Sequence, residues 1–184
     1  TPDALSDEVA ASLPVASGTA LQALVDIAGL VRGQSILITG ASGAVGASAV
    51  QIARSIGARI TGVCGTANVD FVRSIGAERV IDYRTDNWQL RDERFDLIFD
   101  AAAAASFSEA KPRLAANGIY INTMPRPALY WAAAVARATS RQRCVPFLLK
   151  TDSALLERLA KLTAERIIIP HIHEVIDLAQ VATA

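Results

Sequence analysis

The segment Ser35-Ile36-Leu37-Ile38-Thr39-Gly40-Ala41-Ser42-Gly43-Ala44-Val45-Gly46 constrains this chain more than any other. A short apolar run leads into glycines spaced three apart, and these lead into a helical repeat, Val45, Ala49, Ile52 and Ile56, stopped by Gly57. Such a strand, turn and helix in immediate succession open a β-α-β unit. Gly40 and Gly43 remove Cβ atoms where the chain turns and where backbone must approach a diphosphate, and Gly46 lets the helix pack closely on the strand. The N–H groups of the first helical turn, at the positive end of the helix dipole, predict an anion site. The spacing G-x-x-G-x-x-G is looser than G-x-G-x-x-G, so the β-α-β context carries the assignment, and glycines that merely close a tight turn remain the alternative. A P-loop is excluded, because no Lys-Ser or Lys-Thr pair follows Gly46.

Apolar runs at residues 35–39, 58–64, 79–83, 95–100, 118–123 and 144–149 alternate with helical patterns. They predict an α/β fold, a doubly wound parallel six-stranded sheet of the Rossmann type with strand order 3-2-1-4-5-6. Val69, Val72 and Ile75 mark a helix before Gly76, and Leu155, Leu156, Leu159 and Leu162 mark a late one opened by Asp152 or Ser153. A right-handed crossover requires a further helix over residues 106–116, although Pro112 removes a donor inside it. The chain starts without methionine and stops inside an expected helix at 174–184, so it reads as a piece of something longer. The expected organisation is a linker or remnant of another lobe at 1–12, a dinucleotide-binding domain at 13–170, and the start of a return to that lobe at 171–184.

Lysine plus arginine and aspartate plus glutamate are each 18, so no net charge draws the chain to nucleic acid or an anionic membrane. No apolar run approaches a membrane-spanning length, and the acidic start is not a signal peptide. A cytoplasmic protein with a small-molecule partner is expected. Cys64 and Cys144 lack neighbours at metal-ligand spacing and read as buried thiols, while His171 and His173 share one face of a strand with no third ligand, so no metal is expected. Residues 128–138 are apolar on nearly every face. Burial explains them; if exposed, they would pair with a second copy in a homodimer or cover a substrate mouth.

About twenty residues beyond a dinucleotide turn, a carboxylate ordinarily accepts hydrogen bonds from the adenine ribose of NAD. This chain has Val63-Cys64-Gly65-Thr66 there, which favours NADPH, with NADH possible because no basic residue follows at once. Arg73 or Arg84 is the candidate cation for a 2′-phosphate, with a solvated surface charge as the more frequent reading of either. Asp100, Asn122, Thr123 and Met124 end strands on the edge expected to border the nicotinamide, with capping as their structural alternative. Catalytic residues are unknown: none of Tyr83, Tyr120 and Tyr130 has the lysine four residues later that a short-chain dehydrogenase requires.

With these residues in hand, the chain resembles the cofactor-binding domain of the medium-chain dehydrogenase/reductase superfamily, in its zinc-independent quinone oxidoreductase-like branch. The likeness covers almost the whole chain. Its marks are residues 13–20 (Leu-Pro-Val-Ala-Ser-Gly-Thr-Ala), Gly33 and Ser35, the glycine turn, Ser74-Ile75-Gly76-Ala77 and Val80-Ile81-Asp82-Tyr83. The resemblance implies hydride transfer from NADPH to a quinone, an activated alkene or a carbonyl, with the substrate held between two lobes. It implies that Ser42, Gly43, Ala44 and Val45 meet the pyrophosphate and that Thr66 and Tyr83 flank the 2′-phosphate. Relatives that use NADPH often carry a lysine or arginine near Ala67 or Asn68, absent here. Zinc-dependent relatives carry a cysteine four residues before Thr19; Val15 stands there. The candidate cofactor-binding set is therefore Gly40, Ser42, Gly43, Ala44, Val45, Gly46, Cys64, Gly65, Thr66, Tyr83, Asp100 and Thr123. Without the second lobe the chain is expected to bind nucleotide but not to turn over substrate, and a non-catalytic NAD(P)H-responsive module is the alternative function.

Overall fold

Six runs with apolar side chains on both faces form one sheet, as parallel strands covered on both sides require. The structure is a computed structural model that describes residues 5–124, 126–172 and 174–176. Its strands are β1 (Ser35–Thr39), β2 (Arg59–Cys64), β3 (Arg79–Asp82), β4 (Phe95–Asp100), β5 (Leu114–Asn122) and β6 (Arg143–Pro146). All pairings are parallel and the order is β3-β2-β1-β4-β5-β6, the one expected. The order reverses beside β1, so a crevice opens at the carboxyl ends of β1 and β4. Register brings Thr39 level with both Val63 and Asp100, Asp100 level with Asn122, and Cys64 level with Asp82.

Alternation along the strands divides the core. Ile36, Ile38, Ile60, Leu97 and Phe99 face α1 (Asp7–Leu21), α2 (Ala44–Ile56), α3 (Val69–Ser74) and α6 (Ser153–Ala164). Leu37, Val63, Ile98 and Tyr120 face α4 (Phe107–Ala110) and α5 (Pro127–Thr139). α2 ends as its glycine predicts, with Gly57 in the left-handed region at φ 82° and its N–H on the Ala53 and Arg54 carbonyls. α6 starts at the expected cap, where the Asp152 side chain accepts from the Leu155 N–H.

Several expectations need correction. α1 continues as a π-helical stretch, making a 21-residue rod, Asp7–Ile27, that contains an 18-residue window of mean hydropathy 1.2, long and apolar enough by length and composition to cross a membrane. Ser17, Gly18, Thr19 and Gln22 break the apolar run without breaking the helix. The rod packs as a core helix: Leu13, Ala20 and Leu21 are buried, Ser17 Oγ meets Ser48 Oγ of α2 at 3.0 Å, and Gly18 lies against Leu155 of α6.

The helix expected at 106–116 is α4 alone, followed by a 3-10 turn, Lys111–Arg113. Ser106 and Glu109 close a capping box at its start, and Pro112 lacks the donor to prolong it. Leu114 instead pairs with Phe95 and begins β5, which shifts register before Ile119. The last strand ends at Pro146 rather than 149. His171 is not on a strand and packs its ring on Phe71 at 5.3 Å; His173 lies outside the described residues. Residues 174–176 are not helical, and the rest of the helix expected there also lies outside the described residues.

Candidate functional site

The glycine turn occupies the crevice at the carboxyl end of β1. Gly40 has φ 61°, a region that a side chain disfavours, and a Cβ there would meet Ala102 Cβ at 3.0 Å. The turn is fastened by the Ala41 N–H on the Val63 carbonyl at 3.0 Å and the Gly43 N–H on the Gly40 carbonyl at 2.9 Å. Gly46 is the tightest position: a Cβ would stand 2.1 Å from the Gly40 oxygen and 2.8 Å from Ala41 Cα. Only glycine lets α2 start this close to the strand. The N-cap, Gly43, offers no side chain to the first turn, and that turn holds no acid. Its N–H groups therefore face the crevice without a competing side-chain acceptor, which suits an anion.

On one side of the turn stand the ends of β2 and β3. Cys64 is only 1% exposed, with its side chain in the core; burial, then the Asp82 charge, push its thiol up. Gly65 passes under Tyr83, whose hydroxyl would lie 3.2 Å from a Cβ there, and the Tyr83 ring is exposed. Thr66 donates its hydroxyl to Asp82 at 2.6 Å, and the Arg84 N–H donates to the same carboxylate at 3.0 Å. These two bonds, the Thr66 bond first, hold Asp82 below the usual carboxylate range. Sequence reasoning found no acid at the end of β2 and missed this one, which parallel register delivers beside Cys64 from β3. Neither Arg84 nor any side chain at 67 or 68 forms an ion pair among the described residues; Arg73 pairs with Asp70 at 3.4 Å.

On the other side, Asp100 is fully buried and its carboxylate is saturated by the chain's own donors. Oδ1 accepts from Thr39 Oγ1 at 2.5 Å and the Ala104 N–H at 2.9 Å; Oδ2 accepts from the Ala105 N–H at 3.0 Å and Asn122 Nδ2 at 3.1 Å, with the Tyr120 hydroxyl 2.8 Å away. Thr123 closes the same edge, with its N–H on the Asp100 carbonyl and its hydroxyl on the Ala101 carbonyl, each at 3.4 Å. The structure thus gathers Gly40, Ser42 to Gly46, Gly65, Thr66, Tyr83 and Thr123 along one edge, with Cys64 and Asp100 beneath it. Thr39 and Tyr120, which belong to the same cluster, were not singled out from the sequence as part of the site.

α5 is exposed along most of its length, and only Leu129 and Ala136 are buried. Trp131 is 75% exposed. A surface groove of about 720 Å³ runs between α4 and α5, bounded by Phe107, Met124, Trp131 and Val135. No three His, Cys, Asp or Glu side chains converge on a metal position among the described residues. Cys64 and Cys144 lie in the cores on opposite faces of the sheet, so the donors described here do not fit a zinc ion.

A family model described as zinc-binding dehydrogenase matches residues 75–184. The chain is 40% identical over 166 residues to a chloroplast envelope quinone oxidoreductase homolog of Arabidopsis thaliana, covering 85% of this chain and 50% of the relative. To the chloroplastic quinone-oxidoreductase QR1 of Triphysaria versicolor it is 34% identical over 174 residues, covering 89% of this chain and 53% of the relative. Among solved structures, the quinone oxidoreductase from Coxiella burnetii superposes with a TM-score of 0.87 at 27% identity, covering 98% of this chain and 56% of that one. The chain therefore spans about half the length of the curated relatives it matches.

Proposed function

The chain belongs to the zinc-binding dehydrogenase family, in the medium-chain dehydrogenase/reductase superfamily, and from that premise we propose that it is the cofactor-binding domain of an NADPH-dependent, zinc-independent oxidoreductase. The proposed acceptor is a quinone, an activated alkene or a carbonyl. One observation carries the reading: the backbone cradle formed by Gly40, Gly43 and Gly46 at the uncapped start of α2, where a side chain at Gly46 would strike the Gly40 carbonyl.

In this proposal the N–H groups of Ser42, Ala44, Val45 and Gly46 hold the diphosphate while Gly43, its own N–H on the Gly40 carbonyl, lets the backbone approach it, and Thr66 and Tyr83 flank the 2′-phosphate with Arg84 as counter-charge. Thr123 borders the nicotinamide half, and Asp100 supports the loop beneath it. The bound nicotinamide supplies the hydride; the chain's own part is binding and orientation. The elements from α1, which already begins at Asp7, to α6 form the cofactor domain, and a second lobe holds the acceptor, so the chain alone binds nucleotide without turnover. The exposed face of α5, with Tyr130, Trp131 and Val135, is proposed to pair with a second copy.

The Asp82 carboxylate, hydrogen-bonded to Thr66, favours a second reading in which NADH is the cofactor, because a fixed negative charge beside a 2′-phosphate repels it. Calorimetric titration separates the two. Tighter binding of NADPH than of NADH supports the first; the reverse order supports the second and overturns the NADPH assignment.

A further inference from the structure

Residues 101–105 form a loop held from below by a buried polar cluster. Asp100 takes the Ala104 and Ala105 N–H groups, Thr39 Oγ1 accepts from the Ala102 N–H at 3.4 Å, and the Ala105 carbonyl accepts from the Tyr120 hydroxyl at 2.6 Å. Tyr120 is itself fixed by Asn122 Nδ2, which donates to its oxygen at 2.9 Å. Burial first, and then Asp100, push the phenol well above the ordinary tyrosine range, so it remains a donor. Tyr120 and Asp100 are both 0% exposed and cannot touch a ligand.

What the cluster holds is strained. Ala103 has φ 51°, a left-handed conformation that alanine disfavours and that persists only where the surroundings impose it. One residue earlier, Ala102 presses on the glycine turn at the position where Gly40 has no room for a side chain. The loop is thus clamped to Tyr120 and Asp100 at one end and lies beside Gly40 at the other, on the β4 side of the glycine turn.

We propose that Tyr120 is a positioning residue for the nicotinamide half of the cofactor, acting through Asp100 and the Ala105 carbonyl to hold loop 101–105 against Gly40. The proposal rests on the reading of the glycine turn as a dinucleotide site. At a topological switch point the two halves of a dinucleotide lie on opposite sides of the reversal, the adenosine half over β1 to β3 and the other over β4 and β5. Loop 101–105 belongs to the second side alone. Loosening it should weaken the whole dinucleotide and spare a ligand confined to the adenosine half.

The test titrates the wild-type chain, Tyr120→Phe, Asn122→Ala and Ala103→Gly with NADPH and with 2′,5′-ADP, the adenosine end alone, alongside thermal melts. Ala103→Gly retains every hydrogen bond of the cluster, so it is the control in which the clamp is intact; Asn122→Ala, which removes the bond that fixes the Tyr120 hydroxyl, is the second variant if Tyr120→Phe fails to fold. The expected result is NADPH binding weaker by about 2- to 12-fold in Tyr120→Phe or Asn122→Ala, the equivalent of one lost hydrogen bond, and within about twofold of wild type in Ala103→Gly. Binding of 2′,5′-ADP stays within about twofold in all variants, and Ala103→Gly melts no lower than wild type, because glycine accepts the left-handed conformation. Unchanged NADPH affinity in the folded Tyr120 or Asn122 variant, or a parallel loss of both ligands that follows the melting temperature, would overturn the proposal while leaving the cofactor reading intact. A wild-type chain that binds neither ligand would overturn that reading and the proposal with it.

Discussion

Replacing Gly46 with alanine puts a methyl carbon 2.1 Å from the Gly40 carbonyl oxygen, where at least 3.0 Å is needed, so α2 must retreat from the turn by about 0.9 Å. The helix cannot do so freely, because Ala47, Ala49, Val50, Ile52 and Ala53 are all buried on the same side of the sheet. Overpacking of this kind costs about 1–3 kcal/mol, which for a chain of this size lowers the melting temperature by roughly 2–10 °C. The same retreat draws the N–H groups of residues 44–46 away from a bound diphosphate. Loss of one charge-assisted hydrogen bond, about 1.5–3 kcal/mol, weakens NADPH binding by roughly 10- to 150-fold. Gly33→Ala is the control: φ there is 83° and nothing lies within 4 Å of the new methyl, so it introduces backbone strain of about 1–2 kcal/mol and leaves affinity alone. Thermal melts and calorimetry on the two variants check both effects. If Gly46→Ala bound NADPH as tightly as wild type, or if both variants weakened binding equally, the close approach of α2 to the turn would have no bearing on the cofactor.

Asp82→Asn keeps an acceptor for the Thr66 hydroxyl and removes the charge, so NADPH affinity relative to NADH should rise by about 3- to 10-fold in paired titrations; an unchanged ratio would show that the 2′-phosphate does not sit beside Asp82. Burial pushes the Cys144 thiol up to about 11, whereas the unfolded thiol ionises near 8.5, so the stabilising effect is complete below about pH 8.5 and is lost as pH rises toward 11. Denaturant titrations should show Cys144→Ala losing less stability than wild type across that interval, by on the order of 2 kcal/mol; identical slopes would contradict it. Trp131→Ser on the exposed face of α5 should shift the sedimenting species from dimer to monomer while altering stability within about 0.5 kcal/mol, and a wild-type chain that sediments only as monomer would refute the pairing.

The sheet was legible because parallel strands covered on both faces must be apolar throughout, and the glycine stops Gly57 and Gly76 separated them from the helices. Where those signals fail, the sequence misleads. Residues 115–117 are Ala-Ala-Asn before Gly118, which suits a helix end or a turn by propensity, yet Leu114 and Phe95 pull the segment into β5. The rod Asp7–Ile27 hid behind small and polar residues that are the points of contact with α2 and α6.

The candidate site divides in the same way. The turn was legible because its glycines serve a local geometry that spacing reveals. Asp100 stood out as an acid at a strand end, but its partners Thr39, Tyr120 and Asn122 come from two other strands, and only register brings them together. Asp82 escaped notice as a neighbour of the ribose position for the same reason: it is eighteen positions beyond Cys64 in sequence and level with it in the sheet.

The central claim is that the first turn of α2 binds a diphosphate, and an NADPH titration of the isotope-labelled chain followed by backbone amide shifts tests it at the atoms concerned. The largest saturable shifts should fall on the N–H groups of Ser42, Ala44, Val45 and Gly46, with smaller ones at residues 66 and 101–103. Saturable binding with its largest shifts in the groove between α4 and α5, or no shift at the turn at any concentration, would contradict the account.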